Sequence, residues 1–282
     1  MGTSSDAKTT PPRLHVLLAR HGDRALVIRR GPSKRVCTIG WGRRTDTFEL
    51  GQWLKGRIYE RRCDLSPGGE YFIYFAMNGH WSSATGGSWT AISRTPWLRA
   101  LVLLGKGDCW HGGGLFTGPN TYAVNDGYGH TVMRDDRSLR RDAEFRSMGS
   151  YGGECPGVYY NRLQRDGWTL RERQKEDSRS HVTVFEKSLP QGWTLRKFAR
   201  EQVGSPVGKG CYWDQHALEH SSGTMVDLPD WEWAEYSEGE LLFAQRGALY
   251  RVGRPGRKGL GDASLIRDFS EMRFEPRAAP YR

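Results

Sequence analysis

Short runs of alternating or continuous apolar residues recur along almost the whole chain. Residues 14–19, 25–29, 36–40, 57–61, 71–77, 89–93 and 101–104 each have the length of one strand, as do 121–124, 158–163, 168–171, 182–186, 231–236, 240–245 and 248–252. Clusters of Gly, Pro, Asp and Asn separate many of these runs, as antiparallel connections require. The clearest hairpin joins 241–245 to 248–252 through Arg246-Gly247, where glycine supplies the positive φ of a tight turn. Only 137–146 and 194–202 are expected as helices, both short and charged. Strands do not alternate with long helices, which argues against Rossmann and TIM-barrel folds.

Composition sharpens this picture. Eleven Trp, 12 Tyr, 36 Gly and 13 Pro in 282 residues describe aromatic strands broken by turns. That length suits one all-β domain able to bury a large core without disulfides or metals. Two internal similarities stand out. The pentapeptide Gly-Trp-Thr-Leu-Arg occurs at 167–171 and again at 192–196, a spacing of 25 that fits successive strands better than successive blades. Cys63, Cys109 and Cys155 are each 46 residues apart, near the ~40–45-residue period of four-stranded propeller blades.

The segment Cys63–Phe75, CDLSPGGEYFIYF, resembles the strand-turn-strand signature of TolB-like and WD40-like propeller blades. Ser66-Pro67-Gly68-Gly69 makes the tight turn and Tyr71 to Phe75 the inner strand, with Gly68 standing where the pattern prefers Asp. Four longer stretches, 25–41 (ALVIRRGPSKRVCTIGW), 50–62 (LGQWLKGRIYERR), 87–94 (GSWTAISR) and 106–116 (KGDCWHGGGLF), resemble an uncharacterised family of bacterial proteins. That resemblance implies a bacterial, cytoplasmic protein and brings no activity with it. The expectation is an all-β, single-domain β-propeller of five or six blades with few short helices, spanning 13–282 after a disordered tail at 1–12.

Five widely spaced cysteines with no C-x-x-C pair suggest reduced thiols in the cytoplasm and no structural zinc. The polar start, MGTSSDAKTTPP, lacks the apolar core of a signal peptide, and no apolar run approaches the ~20 residues of a membrane span. The net charge of +10 is concentrated. Residues 24–62 hold 11 Lys or Arg against 3 Asp or Glu. This is either a solvated basic face or a patch for a polyanion, with Arg29, Arg30, Lys34, Arg35, Arg43 and Arg44 as the contacts.

Two constellations bear on chemistry. In Asp108-Cys109-Trp110-His111-Gly112-Gly113-Gly114, acid, thiol and imidazole lie within four residues. The His-Gly-Gly-Gly string is similar to the oxyanion loop of some esterases, but the Gly-x-Ser-x-Gly elbow is missing. The plainer reading is a Gly-rich blade-connecting loop with a packed Trp. The second is Trp213-Asp214-Gln215-His216-Ala217-Leu218-Glu219-His220, which matches H-x-x-E-H as a string. The flanking Tyr212-Trp213 and Ser221-Ser222-Gly223 argue against the long helix such a zinc site needs, so neither a metal nor a cofactor is expected. The phosphate-turn candidates 31–35 and 204–209 both fall short of a P-loop. Asp108, Trp110, His111, Trp213, Asp214 and His216 remain as candidate ligand-binding residues, the tryptophans for stacking. The leading expectation is a binding module for a protein or polyanionic partner, away from membranes. Nucleic-acid binding through 24–62 is the second reading, and a hydrolase or lyase with both clusters meeting at a central channel is the third.

Overall fold

The computed structural model describes residues 10–32, 34–149, 151, 154–204, 210–253, 256 and 259–281. Residues 1–9 of the expected tail, Ser33 of the 31–35 turn and all but Gly204 of 204–209 lie outside this set. Thr10–Pro12 are described, and Pro12 is buried against Gly247 rather than trailing free.

The chain is all-β, and the described residues form five sheets. The first is the meander β1 (Arg13–Leu18), β2 (Arg24–Arg30), β3 (Arg35–Gly42) and β4 (Thr47–Lys55). The second holds β5 (Arg57–Ile58), β6 (Asp64–Leu65), β7 (Tyr71–Met77), β8 (Ser88–Arg94) and β9 (Ala100–Gly105), with β12 (Thr131–Arg134) on its far edge. A single 3-10 turn, Glu60–Arg62, sits between β5 and β6. The third is small: β10 (Gly114–Phe116), β11 (Thr121–Val124) and β13 (Arg140–Arg141). After helix α1 (Pro156–Arg165) comes the fourth, formed by β14 (Thr169–Lys175), β15 (Ser180–Ser188), β16 (Trp193–Gln202), β17 (Tyr212–His220) and β18 (Met225–Leu228). The fifth is β19 (Trp233–Ser237), β20 (Glu240–Gln245), β21 (Ala248–Val252) and β22 (Ala263–Asp268).

The apolar faces of the sheets bury against one another in chain order. One cluster joins Leu26 and Ile28 of the first sheet to Phe72 and Tyr74 of the second. Another joins Ile73 and Ile92 to Phe116 and Tyr122 of the third. A third sets Tyr160 of α1 and Leu195 of the fourth sheet against Leu241 of the fifth. The last sets Leu14 and Val27 of the first sheet against Leu242 and Leu249 of the fifth. Helix α1 touches both β10 and β14, which bridges the third and fourth sheets. The core is therefore spread between sheets, and β1, β6, α1 and the 3-10 turn carry buried polar side chains, among them His15, Asp64, Arg162, Arg61 and Arg62.

Several local expectations meet their outcome here. The 246–247 hairpin forms, with Gly247 at φ 82. The Ser66 turn also forms, and its hydroxyl accepts the Glu70 and Tyr71 N–H groups at 3.0 Å each. The two Gly-Trp-Thr-Leu-Arg copies enter β14 and β16, which flank β15, and Arg171 and Arg196 both pair with Glu186.

Three expectations are corrected. Residues 158–163 are helical, because Pro156 starts a helix whose Val158, Tyr159, Tyr160, Arg162 and Leu163 are buried on several sides at once. The short apolar run alone does not distinguish this from a strand. Residues 194–202 form a strand, with Trp193, Leu195, Lys197 and Ala199 buried in period two. Residues 137–146 hold only the two-residue β13. Among the described residues no helix is long and apolar enough to cross a membrane, and all five cysteines are free thiols.

Candidate functional site

The 3-10 turn places Arg61 and Arg62 side by side, both buried. Their side chains diverge and tie together the two clusters singled out in the sequence. Arg61 donates to the Trp213 carbonyl and to Asp214 Oδ1, each at 2.6 Å, while the Tyr159 hydroxyl donates to Asp214 Oδ2 at 2.6 Å. Arg62 donates to the Cys109 and His111 carbonyls and pairs with Glu154. Both carboxylate oxygens of Asp214 are thus occupied. Burial alone would raise the Asp214 carboxyl, but Arg61, Lys197 and His216 outweigh it and hold the group well below the usual carboxylate range.

Next to this triad, Lys197 on β16 and His216 on β17 are directly opposed in the strand register. Lys197 Nζ lies 3.1 Å from His216 Nε2, and His216 Nδ1 lies 3.0 Å from the Trp231 carbonyl. One neutral tautomer satisfies both contacts: Nδ1–H donates to the carbonyl and Nε2 accepts from the ammonium. Burial and then Lys197 push the imidazole down to about 3. His15 on β1 behaves similarly. Its Nε2 accepts from Arg162 at 3.0 Å, and burial followed by Arg162 lowers it to about 3. Neither imidazole is poised to exchange protons near neutral pH.

This charged layer separates two cavities that share His15. The smaller, about 200 Å³, is lined by Arg30, Glu60, Arg61, Trp213, Asp214 and Trp231 among others. The larger, about 480 Å³, opens on the other side between β1, α1, β16 and β19. Leu17, Leu18, Leu163 and Trp233 give it an apolar wall, and Arg162, Arg165, Lys187, Lys197, Asp64 and Glu235 a polar one. Arg165 grips Asp64 with both terminal nitrogens at 2.6 and 2.8 Å. Asp64 in turn accepts the Phe116 N–H at 2.8 Å, so this β6 carboxylate anchors the third sheet.

The sequence candidates are distributed as follows. Trp213 and Asp214 line the smaller cavity, and His216 is buried behind them. Asp108 is bound to Lys106 at 2.7 Å, and Trp110 is exposed. His111 stacks edge-on against Tyr128 and lines a separate hollow near Tyr151. The two clusters are therefore connected through Arg61 and Arg62, yet their side chains face different cavities. The H-x-x-E-H string lies on a strand, where His216 and Glu219 point to opposite faces and Glu219 pairs with Arg196. No group of three or more His, Cys, Asp or Glu suited to a metal occurs among the described residues.

In the basic segment, Arg29 is buried and donates to the Gly31, Phe269 and Ser270 carbonyls. Arg30 pairs with Glu60 at 2.8 Å, and Arg43 with Glu238 at 3.1 Å. Lys34, Arg35 and Arg44 are exposed. Sequence reasoning missed Arg162, Arg165 and Lys197, which the corrected helix and strand bring to the larger cavity. No protein-family model matches the chain, and no curated protein aligns with it as a relative.

Proposed function

We propose that the protein is a β-propeller-like binding module that holds a small ligand in its larger inner cavity. The five sheets stand as blades in this reading, and β1 packing on β19 and β20 links the last to the first. Supporting it are the apolar clusters between successive sheets, the Ser66 turn that resembles a blade signature, and the polar centre they surround.

The observation that carries the ligand reading is convergence. Side chains from the first, second, fourth and fifth sheets and from α1 meet at one cavity of about 480 Å³. Ligand sites have this form, a concave part-apolar space of ~300–1,000 Å³ with a few converging polar groups. The neutral, strongly depressed histidines and the fully engaged Asp214 favour recognition over acid–base catalysis. With Arg29, Arg30 and Arg43 committed to internal partners, a polyanion surface would rest on Lys34, Arg35 and Arg44.

A thermal-shift panel of metabolite-sized compounds tests the proposal, run on the wild type and on Leu18→Trp, which pushes an indole into the cavity. At least one compound should raise the melting temperature of the wild type and leave the variant unmoved. Equal shifts in both proteins, or no shift with any compound, would contradict it.

A further inference from the structure

We propose that the larger cavity takes a small organic anion, a carboxylate or a phosphomonoester, held between Lys197 and Arg162 with Arg20 at its mouth. This rests on the cavity being the ligand site, and adds the chemical class of its occupant.

Six cations line the cavity, Arg20, Arg43, Arg162, Arg165, Lys187 and Lys197, against four carboxylates, Asp64, Asp166, Glu235 and Glu238. All four carboxylates are spent on the same three cations. Arg165 takes Asp64 and Asp166, Lys187 takes Glu235, and Arg43 takes Glu238. Among the described residues, Arg20, Arg162 and Lys197 form no salt bridge.

Two of these three are buried, with carboxylates nearby but none in direct contact. Lys197 is 1% exposed and Arg162 5%. Taking an ammonium or guanidinium out of water without a carboxylate against it is strongly disfavoured. Lys197 makes do with the neutral His216 ring, a long 3.4 Å contact to the Ala234 carbonyl and the face of Trp168 at 4.7 Å. The nearest acids offer it no oxygen. Glu235 gives Oε1 to Lys187 and Oε2 to the Trp168 indole N–H, and Asp214 gives its oxygens to Arg61 and Tyr159. Arg162 is held by the Glu60 and Cys63 carbonyls and by His15, all neutral acceptors. A sheet face that is otherwise Trp193, Leu195 and Ala199 would gain stability from an apolar residue at position 197. Placing a lysine there, beside a cavity open to solutes, is accounted for by an anion that neutralises it. The apolar wall of Leu17, Leu18, Leu163 and Trp233 favours an anion with a carbon skeleton over a bare inorganic ion.

The test is isothermal titration of the full chain at low ionic strength with citrate, glucose 6-phosphate, inorganic phosphate and, as the neutral control, glucose. Citrate or glucose 6-phosphate should bind with one site per chain, and whichever does so decides between the carboxylate and phosphate sources. Lys197→Met should weaken that binding at least thirtyfold. Arg20→Gln, an exposed position with no internal bond to lose, should weaken it three- to tenfold and keeps the test open if Lys197→Met does not fold. Failure of every anion to bind, or unchanged affinity in Arg20→Gln and Lys197→Met, overturns the proposal. Binding of an uncharged compound that Leu18→Trp abolishes, with no anion binding, would overturn the anion and leave the cavity reading standing.

Discussion

Acid should unfold this protein earlier than its basic composition suggests, and His216 should account for about half of the early loss. His15 and His216 are neutral and buried, each lowered to about 3. In the unfolded chain both return to about 6.5. Between these values the unfolded state binds more protons, so stability is fully present above pH ~6.5 and falls as the pH drops towards ~3. Going from pH 7.5 to 5 costs about 2 kcal/mol for each such group, about 4 kcal/mol for the pair. That is a large share of the ~5–15 kcal/mol by which domains are stable. His130 is lowered too, chiefly by burial, and adds in the same direction. Glu60, held at about 2 by Arg30 and Arg57 against the opposing pull of burial, contributes only below pH ~4.3 and leaves this window clear. His216→Asn keeps an N–H near the Trp231 carbonyl and cannot titrate. Urea unfolding at the two pH values gives the readout as a difference, so the constant penalty of removing the Lys197 acceptor cancels. The variant should lose about 2 kcal/mol less than the wild type. Equal losses in the two proteins, or a wild type as stable at pH 5 as at 7.5, would refute the assignment of a buried neutral imidazole.

Other consequences follow from the same layer. Arg61→Met leaves the buried Asp214 with Tyr159 as its hydrogen-bond donor and no guanidinium against it, and should cost about 3–5 kcal/mol in chemical denaturation, partly recovered by adding Asp214→Asn. Gly113→Ala would place a methyl 2.0 Å from the Arg62 carbonyl at φ 76, and should destabilise by more than about 2 kcal/mol. Gly223→Ala, at φ 89 with open space around it, should cost about 1 kcal/mol. Triple reversal of Lys34, Arg35 and Arg44 to Glu should abolish any salt-sensitive oligonucleotide binding seen by fluorescence anisotropy, and unchanged affinity would remove these residues from a polyanion surface.

The strands and turns were legible because alternation and glycine placement are local signals, as the 246–247 hairpin and the Ser66 turn illustrate. Asp214 and His216 could be picked out for their chemistry, though not the fact that Arg61, Tyr159 and Lys197 would engage them. The rest of the site stayed hidden for two physical reasons. In 193–200 the charged outward residues Arg196 and Arg200 mask the period of two, which hides Lys197 on the buried face of a strand. In 156–165 the run Val158-Tyr159-Tyr160 has the length and aromatic character of a strand, and reading it so turns Arg162 and Arg165 away from one shared face. The basic stretch 24–62 was visible as a sum of charges, but its division into buried, paired and free cations depends on partners as distant as Glu238 and Phe269. Such contacts lie beyond any local pattern.

In the proposed reading, the space between β1, α1, β16 and β19 is where this protein meets its ligand. The decisive measurement is a crystal structure with the best compound from the thermal-shift panel. Density should lie inside the larger cavity, against Leu18 and Trp233 and within reach of Lys197. Density confined to the outer surface, at Trp110 or beside Arg35, with the cavity holding only water, would contradict it.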